Sequence, residues 1–174
     1  MADRIMSHEE TGILPVINIP QAEIAESVAE ALRDGGLNSI EVTLRSPDSL
    51  ESIRIIKEKY PDMTVGAGTV LSTQTVDEAL KAGADFIVCP GYDEEIVDYC
   101  IAKQVQVIPG CTSASEIQKA VKKGLKVLKF FPAELSGGLD AIKLLSGPFP
   151  NVKFIPTGGI NFNNLGSYLE SDKI

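Results

Sequence analysis

Histidine is almost missing from this chain: its 174 residues include one, His8, in the N-terminal segment 1–11. A zinc site of two or three histidines cannot be assembled from one copy, which disfavours metal-dependent carbonyl chemistry; no metal and no cofactor is expected. Cysteine is scarce as well. Cys89, Cys100 and Cys111 are odd in number and stand at eleven-residue intervals, which fits neither a disulfide framework nor close-paired zinc ligands, so they read as small buried hydrophobes. An excess of positive charge is absent too, since 16 Lys and Arg face 24 Asp and Glu for a formal charge of −8. Without a broad basic surface, neither nucleic acid nor membrane is an expected partner, and an anionic substrate needs local positive groups. There is no apolar signal core behind a basic leader, no run long enough to span a bilayer, and no low-complexity stretch or charge block dividing the chain. The expectation is one soluble, cytoplasmic globular domain over 1–174.

What is present is a rhythm. Short apolar runs centred near Val16, Ile40, Val65, Ile87, Val107, Leu128 and Phe154 recur every 20–26 residues, each followed by a helical pattern, which is a βα unit repeated seven times. Ser113, three residues before Glu116, predicts a capping box; Ile117, Ala120 and Val121 form one apolar stripe, and Lys122, Lys123 and Gly124 close that helix. Ser46 is expected to cap another helix, with Pro47 in its first turn. Stripes are expected at Ile24, Val28, Ala31 and Leu32, and at Val76, Ala79 and Leu80, with Gly35 and Gly83 as helix ends.

Strands apolar on both faces, alternating with amphipathic helices, imply a parallel sheet covered by helices. The regular unit length favours a closed (β/α)8 TIM barrel over an open doubly wound sheet. Eight strands close such a barrel, and an eighth would begin where Ile174 falls. The sequence therefore reads as a barrel truncated after its seventh βα unit.

Alternate side chains of a barrel strand face the lumen, and active sites gather at the strands' carboxyl ends. The run Glu41-Val42-Thr43-Leu44-Arg45 puts Glu41, Thr43 and Arg45 on one face. Burying a carboxylate and a guanidinium is costly unless they pair or bind something charged, so the choice lies between a structural Glu41–Arg45 ion pair and a ligand site. In the sixth strand, read as Leu125 to Phe131, Val127, Lys129 and Phe131 share a face, and Lys129 is expected to be walled by Phe130, Phe131 and Pro132. Desolvation disfavours an ammonium and yields an amine able to attack a carbonyl. A lysine that reaches out of the barrel mouth, or only binds an anion, fits the strand position equally well. After the seventh strand, Thr157-Gly158-Gly159-Ile160-Asn161 offers backbone N–H groups and a helix expected to start at Asn161, suited to an oxyanion; a plain tight turn is the alternative. Gly66-Ala67-Gly68-Thr69 begins like a dinucleotide fingerprint, but Leu71 stands where the third glycine belongs, which leaves Thr69 at the strand end as the more useful residue.

Taken together, Glu41-Val42-Thr43-Leu44-Arg45, Gly66-Ala67-Gly68-Thr69-Val70, Lys129-Phe130-Phe131-Pro132-Ala133-Glu134 and Pro156-Thr157-Gly158-Gly159-Ile160 resemble, in order and spacing, the 2-keto-3-deoxy-6-phosphogluconate (KDPG) aldolase family. Cys89-Pro90-Gly91 and Ile108-Pro109-Gly110 extend the likeness, which runs from about Gly12 to Tyr168. The resemblance implies a metal-independent class I aldolase that releases pyruvate and glyceraldehyde 3-phosphate and also acts on 4-hydroxy-2-oxoglutarate. It implies Lys129 as the Schiff-base lysine and Glu41 as general acid/base working through a water. It further implies Arg45 and Thr69 at the substrate carboxylate, Thr157 near the aldehyde-derived hydroxyl, Gly158 and Gly159 at the phosphate, and a homotrimer. Members continue into an eighth strand with a Gly-Gly-Ser type loop, which has no match here. A keto-deoxy-phosphogalactonate aldolase and a noncatalytic binding or assembly module are the alternatives.

Overall fold

The computed structural model describes residues 12–174; the segment 1–11, His8 included, lies outside the described residues. A strand forms at each of the seven apolar centres: β1 Val16–Ile17, β2 Ser39–Thr43, β3 Thr64–Gly68, β4 Phe86–Val88, β5 Gln106–Ile108, β6 Val127–Phe130 and β7 Lys153–Pro156. Between and after them come α1 Ala25–Asp34, α2 Ser49–Lys59, α3 Thr73–Ala82, α4 Glu94–Ala102, α5 Ala114–Lys122, α6 Gly138–Ser146 and α7 Leu165–Leu169. Because a helix returns the chain after each strand, neighbouring strands pair in parallel, β1 with β2, β2 with β3, β3 with β4 and β6 with β7. Among the described residues, no helix is long and apolar enough to cross a membrane.

Two compact units divide the chain. One contains β1 to β4 with α1 to α3 and residues 95–107, and its sheet runs in sequence order. Ile40, Val42, Val65 and Ile87 are buried, as are Ile53 and Ile56 of α2 and Val76 and Ala79 of α3. The expected α1 stripe is rotated: Ala25 and Ala29 are its buried residues, whereas Ile24 is 41% exposed and Ala31 is exposed. Small alanines let a helix approach its support closely, and the larger side chains flank that line. Asp85 joins two elements, its carboxylate accepting from the Val65 N–H at 2.9 Å and from the Lys57 ammonium at 2.9 Å.

The other unit contains 89–94 and everything from Ile108 onward. Its core gathers Cys111, Ile117, Leu128, Phe130, Ile142, Phe154 and Tyr168. The rings of Phe130 and Phe154 meet edge to face, 6.0 Å between centroids and 82° between planes, a favoured aromatic geometry. Phe130 is therefore turned away from Lys129, and the expectation that it walls that lysine is corrected: successive strand residues point to opposite faces.

Helix boundaries follow the local chemistry. Both halves of the Ser113/Glu116 capping box are present, and Gly83 caps α3 in the left-handed region with φ 102°. Burial alone would raise the Glu116 carboxyl, but bonds from the Thr112 N–H and from the Ser113 hydroxyl and N–H outweigh it and hold that group below its ordinary range. Two starts differ from expectation. α2 begins at Ser49 after Asp48, because Ser46 donates its hydroxyl to the Ile19 carbonyl and bonds the Ser49 hydroxyl instead of capping from its own position. α7 begins at Leu165, because Asn161 and Asn164 close turns of their own: the Asn161 N–H donates to Asn164 Oδ1 at 2.8 Å, and the Asn163 N–H to Asn161 Oδ1 at 2.9 Å. All three cysteines are buried, and burial pushes the thiols of Cys100 and Cys111 up to about 11 and about 12, with Glu116 adding to the second.

Candidate functional site

On β2, Glu41 and Thr43 are almost fully buried, at 1% and 3% exposure. In the ladder they stand opposite Gly66 and Gly68 of β3. A Cβ on Gly68 would come within 2.2 Å of Glu41 Oε1, and one on Gly66 within 2.2 Å of the Phe86 ring. The Glu41 carboxylate thus lies over Gly68, one pleat nearer the carboxyl end of the sheet than its own backbone partner. The second and first glycines of Gly66-Ala67-Gly68 supply space for a carboxylate and a ring, a role the dinucleotide comparison did not reveal.

Past β2 the chain turns outward. Arg45 is exposed, so the expectation of a buried guanidinium is corrected; the alternation that assigned it a face ends with the strand at Thr43. Its Nε donates to Thr69 Oγ1 at 3.3 Å. Thr69 follows directly on β3 and has φ 61°, a left-handed backbone that costs a β-branched residue about 1–3 kcal/mol. Hydrogen bonds on either side hold it there, Leu44 N–H to the Gly68 carbonyl at 2.8 Å and Val70 N–H to the Val88 carbonyl at 3.2 Å. The unfavourable conformation fixes the hydroxyl that meets Arg45.

The residues on β6 and β7 form a second group. Lys129 is buried, 6% exposed, and its Nζ lies 5.6 Å from the centroid of the Phe131 ring, within range of a cation–π contact when the amine is protonated. Its backbone is held at both ends, the N–H donating to Pro109 O at 3.0 Å and the carbonyl accepting from the Cys111 N–H at 2.8 Å. Thr157 continues the β6–β7 register, donating its N–H to the Phe130 carbonyl at 2.9 Å and accepting from the Ala133 N–H at 2.8 Å.

Gly158 and Gly159 then adopt φ 96° and 87°, which only glycine takes without strain. Among the described residues, their N–H groups donate to no backbone carbonyl, which leaves two adjacent donors for an anion. The expected help from a helix starting at Asn161 is corrected, since α7 starts at Leu165 and has five residues. The Asn161 and Asn164 side-chain amides instead donate to the Gly159 carbonyl, at 3.0 and 3.1 Å. Glu134, quoted in the sequence motif without a role, donates its N–H to the Gly158 carbonyl at 3.1 Å and accepts from the Tyr168 hydroxyl. No local pattern could have paired residues 34 apart. Among the described residues, no group of three or more His, Cys, Asp or Glu is arranged to hold a metal ion.

The family model described as "Aldolase: KDPG and KHG aldolase" matches residues 5–174. The chain belongs to this family. As a KDPG/KHG family member it is a carbon–carbon lyase. The 2-dehydro-3-deoxy-phosphogluconate aldolase of Pseudomonas aeruginosa is 46% identical over 160 residues, covering 92% of this chain and 73% of the relative. The crystal structure of the 2-keto-3-deoxy-6-phosphogluconate aldolase of Zymomonas mobilis ZM4 with 3-phosphoglycerate matches at TM-score 0.92 and 41% identity, covering 98% of this chain and 82% of that one. A KDPG aldolase from Legionella pneumophila, with pyruvate captured at low pH as a covalent carbinolamine intermediate, matches at TM-score 0.89 and 39% identity, covering 92% and 78%. The fold class of this aldolase family member is thus the β/α barrel type predicted by the repeat.

Proposed function

We propose that this chain cleaves 2-keto-3-deoxy-6-phosphogluconate to pyruvate and glyceraldehyde 3-phosphate through a Schiff base on Lys129, and that it also cleaves 4-hydroxy-2-oxoglutarate to pyruvate and glyoxylate. The supporting observation is a buried lysine on β6 in a family whose Legionella pneumophila member was captured with pyruvate as a covalent carbinolamine. The Lys129 amine adds to the C2 carbonyl to give a carbinolamine, which loses water to form a protonated imine. When the C4 hydroxyl gives up its proton, the C3–C4 electron pair flows into the imine, and the aldehyde leaves. Protonation of the resulting enamine at C3 and addition of water release pyruvate and restore the lysine.

Glu41 is the general acid/base in this scheme, moving protons through a water during imine formation and enamine protonation. Arg45 and Thr69 hold the keto acid's carboxylate, which orients the carbonyl for attack; their mutual hydrogen bond at 3.3 Å pre-sets both donors. Thr157 meets the aldehyde-derived hydroxyl, and Gly158 and Gly159 meet the phosphate. A cytoplasmic homotrimer is part of the same proposal, on family likeness.

Treatment of the chain with pyruvate and borohydride tests the central step by mass spectrometry. The expected product is one pyruvate-derived adduct, on Lys129, with turnover lost. Lys129→Ala should take no adduct, lose at least about 1,000-fold in kcat, and keep its circular dichroism spectrum. An adduct on another lysine, or undiminished turnover in the variant, defeats the mechanism; a folded wild-type chain with neither adduct nor turnover favours a binding module.

A further inference from the structure

Glu134 touches three segments at once. Its N–H donates to the Gly158 carbonyl at 3.1 Å. Its side chain fills the space where a Cβ on Gly159 would fall, 2.5 Å from Glu134 Cγ and 2.7 Å from Glu134 Cβ. Its carboxylate accepts the hydroxyl of Tyr168 from α7, and both ends of that bond lie beside Gly138, whose Cβ would stand 3.0 Å from Glu134 Oε1 and 3.2 Å from the Tyr168 oxygen. Tyr168 is 3% exposed, whereas Glu134 is on the surface. A buried phenol therefore anchors an exposed carboxylate, and that residue braces both glycines of the turn. Burial first, and then the Glu134 bond, push the Tyr168 phenol above its ordinary range, so it stays in the neutral, donating form at working pH.

We infer that Glu134 and Tyr168 are positioning residues that clamp the Gly158–Gly159 turn in the conformation that offers its two N–H groups to a phosphate. The clamp rests on the assignment of the substrate phosphate to that turn under the aldolase reading. A carboxylate beside a phosphate turn is unfavourable as a bare charge; the Tyr168 bond ties it down and turns it into a strut. Neither residue touches the reacting carbons. Their effect should appear on the phosphate end of the substrate and not on imine formation.

The full chain, labelled with nitrogen-15 and titrated with inorganic phosphate, tests the clamp. In wild type the Gly158 and Gly159 amide resonances move with added phosphate. The apparent Kd weakens about tenfold in Glu134→Ala and about threefold in Tyr168→Phe, the scale of one lost charge-assisted bond. Glu134→Gln keeps an acceptor for the phenol and should bind within about twofold of wild type. The ratio of kcat/KM for the phosphorylated substrate to that for 4-hydroxy-2-oxoglutarate should fall in the same order, a split that general loosening of the fold does not produce.

Amides that ignore phosphate in wild type, equal Kd values across the series, or a Gln variant no better than Ala would overturn the inference. Pyruvate trapping on Lys129 separates the two proposals. A chain that shows the predicted Kd series but takes no adduct retains the clamp and loses the aldolase mechanism; a chain that takes the adduct without the Kd series loses the clamp alone.

Discussion

Two glycine pairs serve opposite purposes in this molecule. Gly66 and Gly68 lie inside β3, and what matters there is the missing Cβ: the Phe86 ring and the Glu41 carboxylate occupy its place. Gly158 and Gly159 lie beyond β7, and what matters there is the left-handed backbone, with φ 96° and 87°. A Cβ on Gly158 would meet Pro132 and Phe131 at ordinary distances of 3.4 and 3.5 Å. Gly66 and Gly68 are defined by volume and Gly158 by dihedral angle, while Gly159 carries both constraints, since Glu134 fills the place of its Cβ. In the sequence both are glycines next to a threonine at a strand end: Leu71 in place of a third glycine argues against a nucleotide loop at the first, and an oxyanion turn or a plain tight turn fits the second.

The comparison breaks most sharply at Gly68. Gly68→Ala must displace the Glu41 carboxylate, and kcat should fall about 100-fold, the scale of a catalytic group moved by an ångström. Gly66→Ala, which meets a ring and no proposed catalytic group, should instead cost about 1–3 kcal/mol of stability, read as a Tm lower by about 2–4 °C per kcal/mol. Equal kinetic losses in the two variants would show that β3 is merely intolerant of side chains.

A smaller effect is expected at the other pair. Gly158→Ala should destabilise the chain by about 1–2 kcal/mol through its dihedral angle, and Gly158→Asn by less, because asparagine tolerates the left-handed region. At position 68 asparagine should be no better than alanine. Denaturant unfolding of the four variants checks whether volume and dihedral angle separate as described.

The smallest effect serves as a control away from both pairs. Glu116 is held below its ordinary range in the fold, so its capping contribution is complete above the unfolded value of about 4.3 and disappears as pH falls through the lower folded value. The Tm difference between wild type and Glu116→Gln should therefore be constant near neutrality and shrink on acidification below about pH 4. A difference that grows on acidification would contradict the assignment.

The strands were readable because each is a short apolar run at a regular interval, and the Ser113/Glu116 cap because its two bonds are local. Glu41, Thr43 and Lys129 are buried on strands at positions marked by alternation. Arg45 was not readable, since alternation says nothing once the strand has ended. The start of α7 was hidden by asparagines at 161, 163 and 164, whose side chains imitate a cap while closing turns. The α1 stripe was misplaced because alanine scores weakly as apolar yet packs most closely. The spacing role of Gly66 and Gly68, and the Glu134–Tyr168 bond, depend on which strands and helices adjoin, and no window of sequence contains that.

The peptide groups of Lys129 are locked to Pro109 and Cys111 at 3.0 and 2.8 Å. A lysine that forms and breaks a covalent bond in every turnover would thus do so from an immobile shoulder, with only the four-carbon arm changing shape. The strand itself has nothing to reset between rounds, and its amide hydrogens should exchange as slowly in the adduct as in the resting protein.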